Sequence, residues 1–78
     1  MTKEVDEVTQ RIATELRVTI ARMKSAPTNA EIASKAGISA MAMGRYLKGE
    51  RAIPVPTYVA ICAALGVDPG ALMAAAMK

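Results

Sequence analysis

The sequence predicts an all-α fold, with five helices around one small core. Apolar residues return at helical spacing: Val5, Val8, Ile12, Leu16, Ile20 and Met23 step by 3, 4, 4, 4 and 3, the stripe of one helix face. Start and stop signals divide the remainder: Thr28 with Glu31, Gly37, Ser39, Gly49, Pro54 with Pro56, Gly66, and Asp68 with Pro69. Composition agrees with this division. Of 78 residues, 53% are apolar, with two Tyr and no Phe or Trp. A chain this short buries only about 60% of the surface its unfolded form exposes, so its stability is thin. Small apolar side chains that let helices approach closely suit that limit. One domain over residues 1–78 is expected.

The first helix is placed at residues 3–24. Thr2 can cap its start, and Glu4, Asp6 and Glu7 suit the positive end of the helix dipole. Arg22 and Lys24 suit the negative end. Ser25-Ala26-Pro27 ends it, because the residue before a proline resists helical backbone. The stretch from Thr28 to Gly49 then reads as two short helices and a tight turn. Thr28-Asn29-Ala30-Glu31 forms a capping box, and Pro27 and Ile32 take the positions of a hydrophobic staple. Ile32, Ala33 and Ala36 share a face. Gly37 supplies a left-handed turn, and Ser39 caps the next helix. Met43, Tyr46 and Leu47 give that helix an inward stripe, and Gly49 stops it. Ala33 is small where the two helices must nearly touch. This is the physical form of a helix-turn-helix, whose second helix is offered to a DNA major groove.

Glu50 to Pro56 has two prolines two apart and reads as an extended connector, with Ile53 and Val55 plugging it into the core. Pro56 fits the first position of a fourth helix running to Leu65. Its inward candidates are Tyr58, Val59, Ile61, Cys62, Ala63 and Leu65. Gly66 terminates it, and Asp68-Pro69 starts a last helix over 69–77 that is almost wholly apolar. A helix with no polar face is buried against a neighbour or waits for one.

The net charge is +3, and its distribution says more. Residues 1–16 balance at −2. Residues 17–51 carry Arg17, Arg22, Lys24, Lys35, Arg45, Lys48 and Arg51 against Glu31 and Glu50, a balance of +5. Residues 52–78 carry only Asp68 and Lys78. Positive charge thus centres on the two-helix motif, and a polyanion is the expected partner. Several classes are disfavoured. With no His and one Cys, neither an internal disulfide nor the usual zinc site can form, and no metal or cofactor is expected. No activated nucleophile or carboxylate pair suggests an enzyme. The first residues lack the apolar centre of a signal peptide, and no apolar run approaches the ~20 residues that cross a bilayer. A bacterial cytosol is the expected setting, with no membrane contact.

Three blocks now resemble a known family. Ala-Glu-Ile-Ala-Ser-Lys-Ala-Gly-Ile-Ser, then Gly-Arg-Tyr-Leu-Lys-Gly-Glu-Arg-Ala-Ile-Pro-Val-Pro, then Val-Ala-Ile-Cys-Ala-Ala-Leu-Gly-Val-Asp-Pro-Gly-Ala-Leu are similar in order and spacing to the phage repressor/Cro-type (XRE) helix-turn-helix proteins. The resemblance covers roughly residues 10–73 and implies a lambda-repressor-like domain that binds operator DNA, usually as a dimer. It implies that the early outward positions of the second motif helix meet base edges: Ala40, Met41, Gly44 and Arg45. It implies that Asn29 holds a phosphate and braces the reading helix, and that Thr28, Ser39, Lys48 and Arg51 grip the DNA backbone. The pattern departs from the family at the reading positions, where Gln, Arg, Ser, Thr or Asn are usual. Here only Arg45 can contact a base in bidentate fashion, with guanine its natural partner, while Ala40 and Met41 can pack on thymine methyls. Gly44 in mid-helix costs about 1 kcal/mol against Ala.

A chain of this size carries one reading head, and two are the usual route to specificity. Leu72, Met73, Ala76 and Met77 are therefore expected to form a two-fold contact, placing half-sites about 34 Å apart on DNA. The reading that follows is a regulator of repressor or Cro type acting by operator occlusion. Two alternatives stay open: a protein-interaction module using the apolar reading helix and tail, and an excisionase-like or architectural DNA binder.

Overall fold

The computed structural model describes residues 3–78, with side chains from Glu7 onward; the Thr2 cap and the side chain of Val5 lie outside the described residues. Five helices follow in order: α1 (Lys3–Ala21), α2 (Asn29–Ala36), α3 (Ala40–Leu47), α4 (Val55–Leu65) and α5 (Pro69–Ala76). No strand forms among the described residues. α1 is the long beam, 19 residues against 8 in α2, α3 and α5. α2 packs on α3 and α4, while α1 packs on α3 and α5. α4 and α5 meet at a bend of 106°.

One core joins them. Leu16, Ile32, Met43, Ile61 and Cys62 are its fully buried large side chains, with Ala33, Tyr46, Tyr58, Leu65 and Leu72 around them. Burial of this kind contributes roughly 1.5–3 kcal/mol per large apolar side chain. Ala33 retains 2% of its surface on α2, which packs on both α3 and α4, so a larger residue there would push α2 off its neighbours.

Several sequence expectations need correction. α1 ends at Ala21, not at residue 24: Met23 N–H bonds to Ile20 O at 3.1 Å, a tightened last turn that carries half-buried Met23 back against the core. Arg22 and Lys24 therefore follow the helix and lie outside its last turn. Val8, on the expected stripe, is 40% exposed. Ala13, one position off the expected stripe, is fully buried instead. α4 begins one residue early, at Val55. That helical start breaks the alternation that would have put Ile53 and Val55 on one side. Ile53 packs on the core, and Val55 is 73% exposed. Tyr58, Ile61, Cys62 and Leu65 form the narrow inward stripe of α4 and leave Val59 and Ala63 exposed on its flank. The tail also differs from expectation. Leu72 and Ala76 are buried against the chain's own core, and Met73 packs beside them.

Candidate nucleic-acid interface

Local chemistry positions the motif. Thr28 N–H donates to Glu31 Oε1 at 2.8 Å, and Glu31 N–H donates to Thr28 Oγ1 at 3.1 Å, the capping box read from the sequence. Donation to the Glu31 carboxyl, from the Thr28 backbone amide first and the Thr28 hydroxyl next, holds it below its usual pKa range. Gly37 ends α2 at φ +76°, and Ile38 N–H closes onto Ala33 O at 3.0 Å. Ser39 then starts α3, its hydroxyl accepting from Ala42 N–H at 3.0 Å. Each capping hydroxyl uses a lone pair and keeps its O–H as a donor.

Met43 and Tyr46 turn inward, so α3 shows the opposite face to solvent. Ala40, Met41, Gly44 and Arg45 share that face, as residues i, i+1, i+4 and i+5 of a helix must. Ala40 and Arg45 are exposed, Met41 is 70% exposed and Gly44 half-buried. α5 lies against α1 and α4, away from this face. Asn29, at the start of α2, reaches α3 at Gly44: a Cβ built on Gly44 would stand 3.8 Å from Asn29 Nδ2. Lys48 continues the line from Gly44 and Arg45, and Arg51 follows the turn at Gly49; both are exposed. Thr28 and Ser39 lie at the starts of α2 and α3, also exposed.

All seven cations of residues 17–51 are exposed. Among the described residues the one ion pair is Arg11–Glu7 at 3.4 Å on α1, so neither Glu31 nor Glu50 neutralises Arg45. An exposed pair such as Arg11–Glu7 contributes little to stability. No described cluster of His, Cys, Asp and Glu could hold a metal ion. Burial raises the Cys62 thiol pKa and keeps it protonated, a structural cysteine.

Two residues that sequence reasoning missed hold α3 from behind. Gln10 Nε2 donates to Gly49 O at 2.7 Å, and Arg17 Nη1 donates to Leu47 O. Arg17 Nη2 also donates to Thr14 Oγ1 at 3.2 Å. Gln10, Thr14 and Arg17 are spaced i, i+4, i+7, a polar stripe beside the apolar stripe of α1. That pattern was visible in the sequence, but its target 30 and 39 residues away was not.

A short capped helix that turns Arg45 outward and is backed by a second helix packed across it is the geometry of a DNA-binding helix-turn-helix. The chain belongs to the helix-turn-helix domain family, a DNA-binding family whose model matches residues 11–76. Neither a curated protein nor a solved structure matches the chain. Among the described residues no single helix is long and apolar enough to cross a membrane.

Proposed function

We propose that the chain is a sequence-specific double-stranded DNA-binding transcriptional regulator of phage repressor or Cro type, working in the bacterial cytosol by occluding its operator without catalysis. The observation that carries this reading is the outer face of α3. Arg45 stands exposed there with no acidic partner among the described residues, flanked by Ala40, Met41 and Gly44. Arg45 selects a guanine, Ala40 and Met41 pack on thymine methyls, and Gly44 allows close approach. Asn29, Lys48 and Arg51 dock on phosphates, with Thr28 and the O–H of Ser39 beside them.

The protein acts on DNA as a homodimer. Leu72 and Ala76 are buried within one chain, so the tail's share of the two-fold contact falls to Met77, 42% exposed, and the outer part of Met73. The domain measures 34 × 24 × 19 Å, which lets two copies stand side by side on half-sites one helical turn of about 34 Å apart.

Selection of binding sites from random duplex DNA tests the whole reading. A two-fold symmetric consensus with a guanine in each half-site is expected, and recovery of no sequence preference overturns it. Arg45→Ala should cost about 1–3 kcal/mol at that one base pair and relax the preference there. The exposure of Met41 and Val55, at 70% and 73%, favours one second reading, a protein-interaction module. A stable hetero-complex without salt-dependent DNA binding would support it.

A further inference from the structure

We propose that Gln10 and Arg17 are positioning residues that set the pitch of α3 against the duplex, and so act on sequence selectivity while touching no DNA. The inference rests on the reading of α3 as the helix that enters the groove.

α3 has only 8 residues and buries two side chains, Met43 and Tyr46, near its middle and end. With Ala42 and Leu47 packed only partly against the core beside them, the pitch of so short a rod also depends on how its ends are held. Its N-terminal end is tied to the turn by Ser39. Its C-terminal end has carbonyls that no intrahelical amide can reach. The turn that follows serves three of them, Lys48 N–H to Gly44 O, Glu50 N–H to Arg45 O and Gly49 N–H to Tyr46 O, and α1 supplies the donor to the fourth, Leu47 O. The Arg17 guanidinium takes Leu47 O, its charge suits the negative end of the α3 dipole, and its second nitrogen is fixed by Thr14. Gln10 takes Gly49 O, just past the helix.

Gly49 completes the device. It adopts φ +73°, and a Cβ there would fall 2.5–2.7 Å from the amide atoms of Gln10. A side chain at position 49 would therefore displace the Gln10 amide that now lies against the turn. Leu47 and Gly49 follow Arg45 by two and four residues. A shift of the α3 end therefore swings the Arg45 guanidinium, whose bidentate contact tolerates little displacement, while phosphate contacts with long flexible lysines adjust.

The test compares the full chain with Gln10→Ala, Gln10→Asn, Arg17→Met and Arg17→Lys. Binding to the selected duplex and to a random-sequence duplex of equal length is read by fluorescence anisotropy across a salt series, beside thermal unfolding. Loss of one such hydrogen bond should lower the specific-to-random preference by about 3- to 10-fold in Gln10→Ala and Arg17→Met. Random-duplex affinity and the salt slope stay unchanged, and Arg17→Lys recovers part of the preference. Gln10→Asn, one methylene short of the carbonyl, should behave as Gln10→Ala and covers the case in which the alanine variant fails to fold. Equal weakening on both duplexes, with the Arg17→Met salt slope smaller by about 0.9, would make Arg17 a phosphate ligand and overturn the proposal. Full preference retained in the Gln10 and Arg17→Met variants overturns it too, with the reading of α3 intact. An unmodified chain that prefers no sequence overturns that reading and this inference together.

Discussion

α3 and α5 are both helices of 8 residues, both started by a side-chain cap, and both held by α1 at their C-terminal ends. Arg17 donates to Leu47 O at the end of α3, and Arg11 donates to Lys78 O, just beyond α5, at 3.2 Å. They differ in what they leave outside. α5 carries no charged residue, buries Leu72 and Ala76, and is fixed at its start by the Tyr58 hydroxyl donating to Pro69 O at 2.6 Å. α3 buries Met43 and Tyr46 and turns Arg45 outward. One helix closes the core, and the other is mounted on it. Stability and recognition should therefore respond to different substitutions.

The largest expected effect removes the support common to both. Leu16 on α1 is fully buried in the shared core. Leu16→Ala should cost about 2–5 kcal/mol in urea unfolding. A domain of this size holds roughly 4–12 kcal/mol in all, so DNA binding and fold should fail together. A Leu16→Ala protein of unchanged stability would break the picture of one common core. Tyr58→Phe should act on α5 alone. Burial raises the Tyr58 phenol pKa, and its hydroxyl is bonded to Pro69 O. Its loss should cost about 1–2 kcal/mol while leaving affinity for the selected duplex unchanged. A fall in affinity beyond the fall in folded fraction would mean that α5 and α3 are coupled.

What could be read from the sequence divides along the same line. The starts of α2, α3 and α5 were legible because Thr28, Ser39 and Asp68 act within three residues of themselves. The set Ala40, Met41, Gly44 and Arg45 comes from the family resemblance, and the burial of Met43 and Tyr46 leaves those four positions on the outer side of α3. What failed depended on distant partners. The end of α1 moves because Met23 turns into the core, and Val59 and Ala63 read as inward only until the neighbours of α4 show which side they cover. The apolar tail left two destinations open, its own core or a second chain, and Leu72 and Ala76 took the first.

Gly44→Ala should separate the two roles within α3 itself. A Cβ at Gly44 meets nothing nearer than Asn29 Nδ2 at 3.8 Å, an ordinary contact. Replacing a mid-helix glycine should stabilise the free domain by about 0.5–1 kcal/mol. In a domain of this size that raises Tm by about 2–8 °C. If the glycine serves approach to DNA, affinity for the selected duplex falls as Tm rises. A rise in both would show that the open space at Gly44 has no bearing on recognition.

The smallest effect is an acid response confined to the motif. The folded Glu31 carboxyl is held below its ordinary value of 4.5 by the Thr28 amide and hydroxyl. A depressed carboxyl pKa adds stability that is complete above the unfolded value and is lost as pH falls through the folded one. Acid below 4.5 should thus loosen the start of α2 first, and with it the placement of Asn29 against Gly44. In an NMR titration the Glu31 carboxyl and Thr28 amide should move together with a midpoint below 4.5, and Glu31→Gln should abolish that shift at Thr28. A midpoint at or above 4.5 would mean that the capping box does not hold in solution, and that α2 carries α3 without it.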